Sequence, residues 1–209
     1  DYIRYVITEK GESAWIAQRN GRTKDGNDVT DQGIIKMFCM SCAEDKIKAI
    51  DDLHIVPIAV SYEWEPCDVL KTLELYESQF SKYTKKPGED LNSILTGIVQ
   101  EKGRVHFELC EPLSYAELSK FDGLTNNDYH KQVARLIDRR IRAAYRLYPN
   151  NYIAYDLRYG TTKYKHCYTV AEKEAFLKRL QMLEQYDTCD IDKLKDIFLG
   201  IYSNPVNNK

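Results

Sequence analysis

The residues with the most chemical capacity near the start of the chain are Arg19, Arg22 and Lys24, gathered around Gly21 and Thr23 in the run Asn20-Gly21-Arg22-Thr23-Lys24-Asp25-Gly26. Glycine lets a backbone come close to a ligand, and a guanidinium fork matches phosphate oxygens two at a time. If the apolar run Ser13 to Gln18 is a strand, the turn lies at its carboxyl end, where open α/β sheets hold their ligands. On its own, a basic turn of this composition is more often simply solvated.

A general base is harder to find. The four histidines, His54, His106, His130 and His166, are scattered, and none has a partner at the spacing of a metal site. The nearest approach to a His-carboxylate pair is His106 with Glu111, but residues five apart on a strand point to opposite faces. GxSxG, GxxxxGK[ST], GxGxxG and HExxH are all missing, which removes the usual hydrolase, nucleotide and zinc-protease readings. Cys39 and Cys42 form a CxxC, but it ends an apolar helical run and has no second pair, so the expectation is buried structural thiols and no metal. The other four cysteines, Cys67, Cys110, Cys167 and Cys189, follow no regular spacing, which favours free thiols in a reducing compartment.

Alternating strand and helix signals must position these groups over the first half of the chain. Tyr2, Tyr5 and Val6 suggest a helix that Gly11 closes, and residues 31 to 40 read as a short helix. His54 to Tyr62 is an Ile/Val-rich run, as in a parallel strand buried on both faces. Pro66 opens a helix running to about Phe80. Leu91, Ile94, Leu95 and Ile98 mark another, stopped near Gly103, and Arg104 to Cys110 alternates like a strand. The expected fold is therefore α/β, a largely parallel sheet flanked by helices over residues 1–113. A mainly helical extension over 114–209 follows, with helices near 128–148, 171–186 and 190–202 and a weak strand signal at Tyr152 to Leu157. In the first of these helices Arg135, Arg139, Arg142 and Arg146 recur at steps of three or four. They form a basic stripe able to meet phospholipid head groups or an acidic carrier protein, or a solvated face with an Asp138–Arg142 pair.

The chain has 209 residues, 43% hydrophobic and 30% charged, which describes a folded chain and excludes disorder as the dominant state. Thirty Lys and Arg against 32 Asp and Glu give a net charge of −2, which argues against a dedicated nucleic-acid binder. No run is apolar enough to span a bilayer and no secretory signal is visible, so the expected location is the cytoplasm or the cytoplasmic face of the membrane.

Two segments in order carry a family resemblance. Gly21-Arg22-Thr23 after the apolar run, then Val56-Pro57-Ile58 with Tyr62-Glu63, resemble the glycerol-3-phosphate and lysophosphatidic acid acyltransferases, the glycerol-3-phosphate type most closely. Lys102-Gly103-Arg104-Val105 to Glu111-Pro112-Leu113 is similar to the family's closing strand. The resemblance covers about residues 1 to 113. It implies acyl transfer from acyl-CoA or an acyl-carrier protein to a glycerol phosphate or lysophospholipid hydroxyl, with no cofactor and no nucleic-acid partner. It further implies that Arg22, helped by Arg19 and Lys24, holds the acceptor phosphate while Val56, Pro57 and Ile58 wall the cleft. The family's carboxylate before the Gly pair falls on Arg19 here, and its His-x4-Asp base has no counterpart. The chain begins at Asp1 without a Met, so the expectation is a carboxyl-terminal portion of such an enzyme, inactive alone. The rival expectation is a non-catalytic lipid- or protein-interaction module with a degenerate core.

Overall fold

In the computed structural model, residues 1–19, 24–81, 83–84 and 87–209 are described. In chain order the elements are α1 (Tyr2–Thr8), α2 (Gln32–Cys39), α3 (Lys46–Asp51), β1 (Ile58–Tyr62), α4 (Asp68–Glu77), α5 (Glu89–Val99) and β2 (Val105–Leu109). Then come α6 (Tyr115–Leu118), α7 (Asn126–Ala144), α8 (Pro149–Arg158), α9 (Val170–Gln181) and α10 (Ile191–Asn207).

The expected parallel sheet is not formed: the described residues are mostly helical, 56%, and among them there is one antiparallel sheet of two strands, β1 and β2. Ser13 to Gln18 makes no strand, and Trp15 is 80% exposed there. An apolar run of six residues becomes a strand only when another strand supplies its hydrogen bonds, and none does so among the described residues. Of the run His54 to Tyr62 only Ile58–Tyr62 is strand. Its buried residues alternate, Ala59 and Ser61 inward, as in a half-covered antiparallel strand and unlike one buried on both faces. The weak strand signal at Tyr152 to Leu157 is the body of α8, which Pro149 starts at its first turn.

Two compact units divide the chain. The first comprises Asp1–Arg22, Asp28–Ala59 and Phe107–Tyr145; the second comprises Thr23–Asn27, Val60–His106 and Arg146–Lys209. The chain passes from one unit to the other along both strands.

In the first unit α7 supplies the spine. Its Tyr129, Val133, Leu136, Ile137 and Ile141 recur at helical spacing and are buried with Ile35 and Phe38 of α2, Ile47 and Ile50 of α3, and Leu113 and Leu118. The helices start on side-chain caps: Asp31 accepts from the Gly33 N–H, Asp45 from those of Ile47 and Lys48, and Thr125 from that of Asp128. Each such cap is worth about 1 kcal/mol.

In the second unit α10 packs on α8 and α4, and α8 packs on α9. Its centre is aromatic: Trp64 stacks on Phe176 at 6.0 Å, and the Tyr202 ring lies edge-on to Phe176 at 5.3 Å. Phe176, Phe198 and Leu194 are fully buried around them. No helix among the described residues is long and apolar enough to cross a membrane.

Candidate functional site

Gly21, Arg22 and Thr23 of the expected phosphate turn lie outside the described residues; the segments on either side are described. On the upstream side, the carbonyl of Gln18 accepts from the Asp31 N–H at 2.8 Å, which ties the approach to the start of α2, and Arg19 is half-buried. On the downstream side, Lys24 is ion-paired with Glu74 of α4, so its charge is already engaged within the fold. Residues 24–27 are then pinned to α10. Pro205 inside α10 has no N–H, so it leaves the Ile201 carbonyl without its helical donor, and the backbone of Gly26 packs against that carbonyl. Gly26 has φ 74°, and a Cβ there would collide with the Ile201 oxygen. Asn204 Nδ2 donates to the Asp25 carbonyl at 2.6 Å, and Asn208 Nδ2 to Asn27 Oδ1 at 3.0 Å.

Val56, Pro57 and Ile58 lead into β1. Val56 is 40% exposed, Pro57 is buried and Ile58 is half-buried, and the Pro57 carbonyl accepts from the Cys110 N–H at 2.9 Å. At the other end of the ribbon, the Glu63 N–H donates to the Arg104 carbonyl. The Arg104 side chain answers with Nε and Nη2 on the two Glu63 oxygens, at 3.0 and 2.8 Å. That fork holds the Glu63 carboxyl below the usual carboxylate range. The Val-Pro-Ile/Tyr-Glu segment and the Lys102–Leu113 segment, picked out separately in the sequence, are thus hydrogen-bonded neighbours.

The basic stripe is shorter than its spacing implies. α7 ends at Ala144, so Arg146 is off the helix, its guanidinium 5.9 Å from the Tyr148 ring. Arg135 and Arg139 are exposed on α7, while Arg142 Nη2 is turned to the Asp28 carbonyl at 3.3 Å. The expected Asp138–Arg142 surface pair does not form. Asp138 is buried and accepts from both the N–H and the hydroxyl of Thr30, at 2.8 and 2.6 Å. An aspartate one helical turn from an arginine can satisfy itself inward as readily as outward, and periodicity does not distinguish the two.

Sequence reasoning missed the most connected polar group of the second unit. Asp68 opens α4, has no exposed side-chain surface and takes a bidentate pair from Arg179, Nη2 at 2.6 Å and Nε at 3.1 Å. The Tyr202 hydroxyl donates to it at 2.8 Å and itself accepts from the Glu65 N–H, and burial pushes that phenol well above its ordinary pKa. Gln100 completes the set, its Oε1 accepting from the Cys67 N–H and its Nε2 donating to the Glu65 carbonyl. Cys67 is held at φ 61° by these bonds. In the sequence Asp68 reads only as an acidic residue in a first helical turn.

The third buried carboxylate, Asp156, accepts from the Thr161 hydroxyl, the Tyr164 N–H and the Tyr168 hydroxyl. Among the described residues, Asp68 and Asp156 therefore have both carboxylate oxygens taken by donors of the fold, and Asp138 accepts two hydrogen bonds on one oxygen. His130 is buried, and desolvation, with Lys36 and Lys46 adding to it, keeps its imidazole below the ordinary range. The six cysteines are free, and burial pushes the Cys39 thiol up to about 11, which makes it unreactive near neutral pH. Among the described residues no group of three or more His, Cys, Asp or Glu could hold a metal ion.

No family model, no curated protein and no solved structure matches this chain.

Proposed function

We propose that this chain is the acceptor side of a glycerolipid-type O-acyltransferase, which binds the phosphate of a glycerol phosphate or lysophospholipid acceptor and receives its catalytic base from outside these 209 residues. The acyl donor is an acyl-CoA or acyl-carrier protein thioester. The observation that carries the reading is the pairing of β1 with β2, because it joins the two segments that resemble the family and locks Glu63 of Tyr-Glu onto Arg104 of Gly-Arg-Val.

Acyl transfer needs a base to take the proton from the acceptor hydroxyl as it attacks the thioester carbon. No histidine of this chain is followed by the aspartate of a His-x4-Asp pair, so the 209-residue chain is expected to show no acyl transfer to glycerol-3-phosphate. A longer polypeptide that adds a His-x4-Asp segment ahead of residue 1 is expected to show it. In that longer protein Arg22→Ala raises KM for the phosphorylated acceptor about 10- to 100-fold with kcat little changed, the value of about 1.5–3 kcal/mol for hydrogen bonds to a charged group. Turnover by the short chain, or an unchanged KM, overturns the reading.

A second reading, a non-catalytic interaction module, is favoured by one observation, the apolar face that α5 turns outward. It predicts that no extension restores acyl transfer.

A further inference from the structure

The turn that follows α2 brings two thiols together. Cys39 is the last residue of α2, Cys42 lies three residues on, and the Cys42 N–H donates to the Cys39 carbonyl at 3.2 Å. A turn closed in this way keeps its end Cα atoms within about 7 Å, and a disulfide requires about 4.4–6.8 Å. Both side chains lie in the first unit, Cys39 within its core and Cys42 half-buried against it. A negative charge on Cys42 opposes ionisation of Cys39, so the two sulfurs are electrostatic neighbours. The residues between them are fixed: the Ser41 hydroxyl donates to the Phe38 carbonyl at 2.8 Å and accepts from Arg4 Nε of α1 at 2.9 Å. Arg4 is itself anchored, Nη2 on the Ala49 carbonyl and Nη1 on Asp52, both at 2.7 Å.

We propose that the fold holds Cys39 and Cys42 as a redox-active dithiol, which a small-molecule disulfide of the glutathione type converts to an intramolecular disulfide. Cys42 is the attacking group, because its half-buried position leaves the sulfur within reach of solvent, whereas Cys39 is buried and stays protonated near neutral pH. The Cys42 thiolate attacks one sulfur of the reagent, whose S–S bond breaks, and one glutathione leaves as thiolate. Cys39 then attacks Cys42 Sγ, the mixed disulfide breaks, and the second glutathione leaves. The two cysteine protons pass to the two leaving thiolates, and the two electrons given up by the protein reduce the reagent. The first step eases the second. Capping Cys42 removes the charge that opposes ionisation of Cys39 and leaves Arg4 and Lys46, which favour it. The inference goes beyond the acyl-transfer reading and does not depend on it.

Peptide mapping of the folded 209-residue chain tests it. The chain is equilibrated with oxidised and reduced glutathione at ratios spanning about four decades, and the remaining thiols are alkylated. Trypsin then releases Met37–Lys46, which holds both cysteines. Glutathione is the reagent of choice because peroxide would also oxidise Met37 and Met40, which are 45 and 71% exposed. The expected product is this peptide two hydrogens lighter with neither cysteine alkylated. It should appear at an oxidised-to-reduced ratio about tenfold or more lower in the folded chain than in the chain unfolded in urea, because only the fold fixes the turn. Cys39→Ala should stop at a glutathione adduct on Cys42, and Cys42→Ala should leave Cys39 unmodified. The wild-type map decides even if the core substitution at Cys39 fails to fold. Cys42 carrying glutathione beside an alkylated Cys39 overturns the proposal. So does equal oxidation of the folded and unfolded chains, or a disulfide from either thiol to another of the six cysteines.

Discussion

Asp68→Asn offers the sharpest test of what holds the second unit together. The carboxylate has no exposed surface, while its guanidinium partner Arg179 keeps 25% of its side chain in solvent. The substitution preserves shape but removes the charge. It also sets an amide that must be a donor on one side against five donors: Arg179 Nη2 at 2.6 Å, Arg179 Nε at 3.1 Å, the Tyr202 hydroxyl at 2.8 Å, the Val69 N–H at 2.8 Å and Gln100 Nε2 at 3.4 Å. Breaking a buried ion pair from one side costs about 3–5 kcal/mol, because the surviving charge is left uncompensated. At roughly 2–4 °C per kcal/mol for a chain of this length, the thermal midpoint should fall by about 6–20 °C. Circular dichroism or calorimetry reads this directly. A double-mutant cycle sharpens it: Arg179→Met in the Asp68→Asn background should recover more than about 1 kcal/mol, since it removes the uncompensated charge. A fall of less than about 2 °C, or strictly additive effects in the cycle, would refute the claim that this pair ties α4 to α9 and α10.

Gly26→Ala should cost about 1–3 kcal/mol, from the left-handed φ and from the collision with the Ile201 carbonyl, read as a lower unfolding midpoint. A midpoint unchanged within error would mean that residues 24–27 are not seated on α10 as described. Glu63 gives a pH signature. Its pKa is held below the ordinary 4.5 in the folded state by Arg104, so its contribution is present above about pH 4.5 and is lost as pH falls through the lower folded value. In denaturant titrations at stepped pH, Glu63→Gln should flatten the acid side of the stability profile while changing its slope above pH 6 little. An identical acid limb in wild type and variant would rule out the Arg104 fork as the cause.

The helices were legible in the sequence wherever a face and its ends agreed. In α2, α7 and α10, an apolar spacing of three and four coincides with Asp31, Thr125 and Asp190 at the start. The end of α7 was overestimated because Arg146 and Tyr148 continue the pattern after the backbone has left the helix at Tyr145. The parallel sheet was misread from apolar runs, since Ser13 to Gln18 and His54 to Tyr62 carry strand propensity whether or not another strand is at hand to pair with them.

The sequence by itself determined the helices whose apolar spacing and end residues agree, such as α2, α7 and α10, because these depend on residue type and local spacing. Only the tertiary structure decided that Asp68, Asp138 and Asp156 are buried among donors of the fold, that Lys24 is engaged by Glu74, and that Val56–Glu63 pairs with Lys102–Leu113. Each of those joins residues distant in the chain, and a pairing that follows from chain closure leaves no local signature. The same reason hid the outward face of α5. Amphipathic spacing states that a helix has an apolar side, and only packing states which way that side is turned.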